Sequence, residues 1–258
     1  MAIEVFSRYE SKYLIDCRTY EKLQPRLLNY MELDTYNKQH ETYSICNIYY
    51  DTDDNQLIHN SLQKPKYKEK LRLRSYGTTA GDSMVYLEIK KKFCNLVNKR
   101  RSALFLDEAY EFLNSGKPPF IKPHMNKQVL SEIEYILQQY ELKPKVFLAY
   151  NRRAYFGAGH HDLRISFDTA ITTRRTDLKL ESGIYGKKLL DDDMTVMEIK
   201  TAQSMPLWLT RLLSSYEIYP RSFSKYGAEY MNSINHTSLE KDVVCIPSQT
   251  RCGILLPA

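Results

Sequence analysis

Residues 67–76 read YKEKLRLRSY, and within them Lys70, Arg72 and Arg74 alternate with Leu71 and Leu73. Side chains on a β-strand point to opposite faces with period two, so this stretch sets a cationic face back to back with an apolar one. Residues 84–94 repeat the pattern with Glu88, Lys90 and Lys92 against Leu87, Ile89 and Phe93, and the Gly77–Gly81 segment between them predicts a hairpin. Further along, Glu198 and Lys200 alternate with Met197 and Ile199, and Arg164 and Asp168 with Leu163, Ile165 and Phe167. One charged strand face is ordinary, because an antiparallel sheet usually leaves a face in water. Its recurrence implies something else: charged faces turned into a closed barrel, apolar faces covered by helices. Such a barrel is a basic tunnel with a few carboxylates, suited to a polyanion and its metal.

The rest of the chain fits one domain built this way. Strands are expected over 4–15, 43–51, 96–106, 145–156, 162–171 and 194–201, and helices over 18–31, from the Thr52–Asn55 turn to Leu62, 107–115, 125–141, from Pro206 to about 216, and 223–234. Residues 173–193 form a looser segment, and after Asn235 the periodicity dissolves into a tail with no assignable role. No repeat or low-complexity linker divides the sequence. The expected domains are therefore 1–234 and a tail, 235–258.

A net charge of +6 and a pI near 8.9 favour an anionic partner without identifying it. The five cysteines are odd in number and contain no CxxC pair, which argues against a disulfide framework or a zinc site. Glu4, Arg8, Glu10 and Lys12 exclude a signal peptide, and no apolar run is long enough to span a bilayer. A cytoplasmic protein with no membrane span is expected.

No Walker-type G-x-x-x-x-G-K-[ST] motif is present, so any phosphate must be gripped by side chains. Arginine does this with two parallel hydrogen bonds and lysine with a point charge. Arg72, Arg74, Arg152 and Arg164, with Lys12, Lys90, Lys99 and Lys200, come from separate strands and could converge. Arg100 and Arg153 cannot share a face with Arg101 and Arg152, and are expected outside. Glu10, Glu88 and Glu198 each share a strand face with a cation two residues away, which suits either a divalent-metal ligand or an internal ion pair. Glu198 is the stronger metal candidate. His160 and His161 lie beside glycine in a turn, without a third ligand at metal spacing.

The ordered motifs RYESKY, NIYYDT, KLRLRSYG, YLEIKKK, NKRR, AYNRRAYF, LRISFDT, VMEIKT and FSKY, between about residues 4 and 234, resemble those of the VTC-type polyphosphate polymerases, a branch of the triphosphate tunnel metalloenzymes. The resemblance implies an α+β fold: an antiparallel β-barrel tunnel of about eight strands with helices packed outside. It also implies that ATP donates its γ-phosphate to a growing polyphosphate chain with Mn²⁺ or Mg²⁺. On that pattern Arg72, Arg74, Lys90, Arg152, Arg164 and Lys200 serve catalysis, and Glu198 holds the metal. Arg8, Glu10, Lys12, Glu88, Lys99, Arg101, Ser224 and Lys225 bind substrate, Lys225 at the tunnel mouth. Two departures stand out. Arg8 occupies the first acidic position of the ExExK motif found in hydrolytic and cyclase branches, and Ser222 replaces a basic residue just before FSKY, where Arg221 could substitute. ATP and inorganic polyphosphate are the expected partners, and nucleic acid is not. The rival readings are a triphosphatase and a non-catalytic polyphosphate-binding module.

Overall fold

Charge alternation becomes architecture through one twisted antiparallel sheet. The computed structural model describes residues 9–94 and 96–242. In chain order the elements are β1 (Tyr9–Asp16), α1 (Cys17–Leu27), β2 (Met31–Leu33), α2 (Thr35–Gln39), β3 (Tyr43–Asp51), α3 (Gln56–Leu62), β4 (Tyr67–Tyr76), β5 (Met84–Phe93), β6 (Leu96–Phe105), α4 (Leu106–Ser115), α5 (Lys127–Gln139), β7 (Lys143–Gly157), β8 (His160–Arg174), β9 (Lys187–Lys188), β10 (Met194–Thr201), α6 (Leu207–Ser215) and α7 (Lys225–Asp242). Eight strands follow the path β1-β10-β8-β7-β3-β4-β5-β6, with β2 added on β7 and β9 on β8. The expected eight-stranded α+β arrangement is thus present, within a sheet of ten.

The apolar faces of these strands point outward, as the alternation requires, and helices cover them. Leu71, Leu73, Leu87 and Ile89 pack with Phe112 of α4 and Val129, Ile133 and Ile136 of α5. On the other wall Tyr13, Ile165, Phe167, Met197 and Ile199 pack with Leu23 and Leu27 of α1 and Leu209 and Leu213 of α6. Truncating any such fully buried leucine to alanine removes about 2–5 kcal/mol. Side-chain caps place two of the covering helices: Asp16 accepts from the Thr19 amide at 2.7 Å, and Asn126 from the Val129 amide at 3.2 Å.

Three expectations are corrected. No ladder joins β1 to β6 among the described residues, so the wall is not closed by backbone hydrogen bonds. Side chains span the gap instead: Lys90 of β5 reaches Glu10 of β1 at 3.7 Å, and Lys12 of β1 donates to the Phe223 carbonyl ahead of α7 at 3.2 Å. The first helix ends at Leu27 rather than at 31, because Met31 pairs with Gly157 as β2. Finally, not every helix lies outside. α7 joins α3 over one side of the interior, where Tyr226 and Ile58 pack with Ile45, Tyr49, Leu148 and Tyr150. Gly227 permits this approach, since a Cβ there would come within 3.2 Å of Leu62.

Candidate active site in the tunnel

The inner face of the β4–β5 hairpin is a ladder of facing pairs: Lys68 with Lys92, Lys70 with Lys90, Arg72 with Glu88, and Arg74 with Tyr86. Glu88 is 1 % exposed, and burial alone would raise its pKa, but Arg72, Arg74 and Lys99 hold it well below the usual carboxylate range. Arg72 reaches Glu88 through Nε at 2.7 Å and a terminal nitrogen at 2.6 Å, and Lys99 lies 2.9 Å away. The remaining Arg72 nitrogen donates to the Tyr49 hydroxyl at 3.0 Å. Arg74 donates to Asn47 at 2.8 Å and to the Tyr150 hydroxyl at 3.4 Å. Burial would raise the Tyr49 phenol, yet Arg72, Arg74 and Lys70 bring it down to about 8. Burial, together with Lys68, Lys90 and Lys12, pulls the Lys70 ammonium down to about 8, and Tyr49 opposes the drop.

A second constellation forms where β1, β10 and β8 meet. Lys12 pairs in register with Glu198, which pairs with Ser166, while Lys200 lies between Glu10 and Arg164. Glu198 makes a 2.6 Å ion pair with Lys200, and Glu10 one of 3.2 Å with Lys12. Burial would raise Glu198, but Lys200, Lys12, Arg152 and Lys225 hold it well below the usual range. Burial and the neighbouring Glu198 would likewise raise Glu10, and Lys90, Lys12 and Lys200 outweigh them. The two carboxylates repel each other, and the surrounding cations keep both charged in spite of it. Burial favours the neutral form of Lys12, which Glu10 and Glu198 overcome, so its pKa stands above the ordinary lysine value.

Asp168 links this cluster to α7. Its side chain is fully buried and accepts two parallel bonds from Arg152, at 2.6 and 2.8 Å, and one from Lys225 at 2.5 Å. Lys225 was expected at the mouth but lies inside: its side chain is 12 % exposed, and its ammonium sits 4.6 Å from the Tyr150 ring centroid. The cause is α7 itself, which enters the interior instead of covering it from outside. The Ser224 hydroxyl oxygen accepts from the Gly227 amide at 3.2 Å and from the Lys70 ammonium at 3.4 Å, so it caps α7 and touches the cationic ladder.

The remaining candidates mark the rim and the outside. Arg164 lies 3.3 Å from Asp34 and 3.5 Å from the Tyr43 hydroxyl. Arg101 is exposed, with its guanidinium 4.6 Å from the Tyr86 ring centroid. Arg100 instead pairs with Glu132 of α5, and Arg153 with Glu41 at 3.6 Å, both away from the tunnel residues. Arg8 falls outside the described residues. Sequence reasoning left out Asp168, Lys70, Tyr49, Tyr150, Asn47 and Asp34. The parity signal was available for Asp168, which shares a face with Arg164, and for Lys70, which shares one with Arg72. The tyrosines carry no such signal, because Tyr49 on β3 and Tyr150 on β7 lie in runs rich in apolar residues where no charge alternation marks the inner face.

No cluster of three or more metal-ligating side chains exists among the described residues. A Mg²⁺-like ion needs only one or two carboxylates and takes its other ligands from phosphate and water. Glu198 with Glu10 beside it is a donor set of that kind.

The open-path antiparallel tunnel thus has an interior with more cations than carboxylates. The chain belongs to the VTC-domain family, which matches residues 7–233. It is 24% identical over 267 aligned positions to vacuolar transporter chaperone complex subunit 4 of Schizosaccharomyces pombe, covering 86% of this chain. The chain spans only 36% of that relative's length. Among solved structures, one described as a candidate adenylate cyclase from Bacillus halodurans superposes with a TM-score of 0.50 at 16% identity, covering 86% of this chain and 96% of its own. The PH1819 protein of Pyrococcus horikoshii gives a TM-score of 0.45 at 13% identity, over 88% and 99% of the two chains. No described helix is long and apolar enough to cross a membrane.

Proposed function

We propose that this domain is a metal-dependent polyphosphate polymerase that transfers the γ-phosphate of ATP to a growing polyphosphate chain and releases ADP. The observation that carries this reading is the charge balance of the interior. Among the described residues, Lys12, Lys70, Arg72, Arg74, Lys90, Lys99, Arg152, Arg164, Lys200 and Lys225 are set against Glu10, Asp34, Glu88, Asp168 and Glu198. Such an excess of fixed cations is stabilised by a ligand with many negative charges and no bulk.

Phosphoryl transfer needs positioning and charge neutralisation more than a protein nucleophile. A terminal oxygen of the polymer attacks the γ-phosphorus, the bond to the β–γ bridging oxygen breaks, and ADP departs with that electron pair. Arg72, Arg74 and Arg152 orient phosphates through planar paired donors, while Lys12, Lys90, Lys200 and Lys225 offset the repulsion between two anionic reactants. Mn²⁺ or Mg²⁺ held by Glu198 and Glu10 would neutralise charge on the phosphate oxygens. Arg8 supports synthesis over hydrolysis from sequence alone, since a cation at that position favours an anionic acceptor over a carboxylate-activated water.

The test is incubation with ATP and Mn²⁺, resolving polymer on a gel and measuring ADP and orthophosphate. A polymer ladder with ADP and little orthophosphate is expected. Stoichiometric orthophosphate without polymer would move the assignment to a triphosphatase, and binding without turnover to a polyphosphate-binding module.

A further inference from the structure

The two ends of the cationic ladder differ in chemistry. On β4 the inner row passes from Arg74, 5 % exposed, to Tyr76, 47 % exposed, so the tunnel opens there. Tyr76 begins a chain of rings: it lies 5.7 Å from Tyr86 and 6.3 Å from Tyr43, centroid to centroid, and Tyr43 lies 5.8 Å from Tyr36. Tyr36, on α2, is 70 % exposed. Tyr43 faces Arg152 across the β3–β7 ladder, and Arg164 stands 3.5 Å from its hydroxyl. Beyond Lys68 and Lys92, at the opposite end, Lys64 and Lys66 join them around a recess of about 380 Å³ with no aromatic ring in its lining.

A polyphosphate chain has no apolar surface to offer four tyrosines. A nucleobase does. We propose that the tyrosine mouth is the nucleobase site of the donor nucleotide, and that the tunnel is thereby polarised, with the base held at the Tyr76 end and phosphates directed inward. This rests on the proposed use of ATP and adds the site that tells a nucleotide from a bare phosphate chain. Arg74 and Arg152 lie one strand step or one cross-strand pair from the rings, so a triphosphate gripped by them leaves its nucleoside among Tyr43 and Tyr76. Every base presents a π-face to a tyrosine ring, and the buried carboxylate and amide beside these rings are already engaged, Asp34 by Arg164 and the Tyr36 amide, Asn37 by the Arg152 carbonyl and the Ala154 amide. The site therefore discriminates nucleotide from inorganic phosphate without strongly preferring adenine over guanine.

The experiment compares the nonhydrolysable β,γ-imido analogue of ATP with inorganic tripolyphosphate by calorimetry, in the presence of Mg²⁺, on the whole chain and on a Tyr36→Ala/Tyr76→Ala variant. Both rings are exposed, and an unchanged thermal melt verifies the fold. The nucleotide analogue should bind the variant about tenfold more weakly, with tripolyphosphate affinity unaltered, and the corresponding guanosine analogue should lose a similar factor. Parallel loss of both ligands, no loss of either, or a wild-type protein that binds the analogue no better than tripolyphosphate would overturn the inference. Its failure is separable from that of the polymerase reading. Absence of polymer from ATP with the selective loss intact defeats only the latter, and normal polymer synthesis without selective loss defeats only the former.

Discussion

Three buried carboxylates in one basic cavity do different work because their partners differ. Glu88 is gripped by Arg72, Arg74 and Lys99, whereas Glu198 is in ion-pair contact with Lys200 alone. Asp168 is consumed by Arg152 and Lys225. Glu198→Gln is therefore expected to lower turnover about a thousandfold, the order expected when several kcal/mol of transition-state stabilisation are removed, with a smaller loss in the thermal melt than at Glu88, because its partner Lys200 is partly exposed and can turn to water. Glu88→Gln should lose about 3 kcal/mol or more because it strands a buried guanidinium. Near-normal rates for Glu198→Gln at saturating Mn²⁺ would remove it from the site. The same logic separates neighbours: Arg72→Ala, Arg74→Ala and Arg152→Ala should each weaken tripolyphosphate binding, and Arg100→Ala and Arg153→Ala should not. Sensitivity at the latter pair would mean that the strand faces are reversed. These parities were legible in the sequence because β4 and most of β5 alternate charge with apolar residues. What could not be read was the pairing. Asp168 was visible on a charged face, but only the β7–β8 register sets it opposite Arg152.

At the scale of elements, α7 turns an open cavity into a site. Asp51 closes β3 fully buried and accepts from the amides of Leu57 at 2.8 Å and Ile58 at 2.9 Å, which fixes the start of α3, and from the Tyr226 hydroxyl at 2.9 Å, which fixes α7. Tyr226 also stacks on Tyr49 with centroids 4.6 Å apart. Asp51→Ala should lose about 3 kcal/mol in urea unfolding, since buried donors are left without an acceptor, and Tyr226→Phe about 1 kcal/mol. Because this docking places Lys225 against Asp168 inside the tunnel, Lys225→Ala should lower the first phosphoryl transfer and later elongation together. A loss confined to long products would return Lys225 to the mouth. The strands β3, β4 and β10 match their sequence boundaries because alternation or a continuous apolar run is bounded by turn residues. β2, α2 and β9 escaped notice, being two to five residues long and held by tertiary contacts alone. The depth of α7 was also illegible: FSKY announces a helix start but not the face on which it docks.

For the whole molecule, the excess of cations makes affinity a function of pH, and the sign can be worked out. Lys70 has its pKa lowered to about 8, so its charge is present below that value and lost above it. Tyr49, also near 8, becomes an anion over the same interval. Both changes remove positive potential from the β4–β5 ladder, so affinity for polyanions should fall as pH rises through 8. Glu88, Glu198 and Asp168 are held below their ordinary values and do not titrate there. Their depressed pKa values stabilise the fold above the unfolded carboxylate range, near 4, and this contribution is lost as pH falls through the lower folded values. Acid therefore attacks the fold, and mild base attacks binding. Lys99, which burial pulls down to about 7 against the attraction of Glu88, loses its charge first, so tripolyphosphate affinity should begin to fall near pH 7 and drop further between about 8 and 9, with proton uptake on binding across that interval, measurable by calorimetry in buffers of different ionisation enthalpy. Lys70→Arg should move part of the drop to higher pH because a guanidinium stays charged, leaving the Tyr49 component in place. Added salt should lower affinity across the range without moving the midpoint far, since it screens charge but creates none. An affinity that held constant to pH 9.5 in the unmodified protein would show that Lys70 and Tyr49 do not face the bound phosphates.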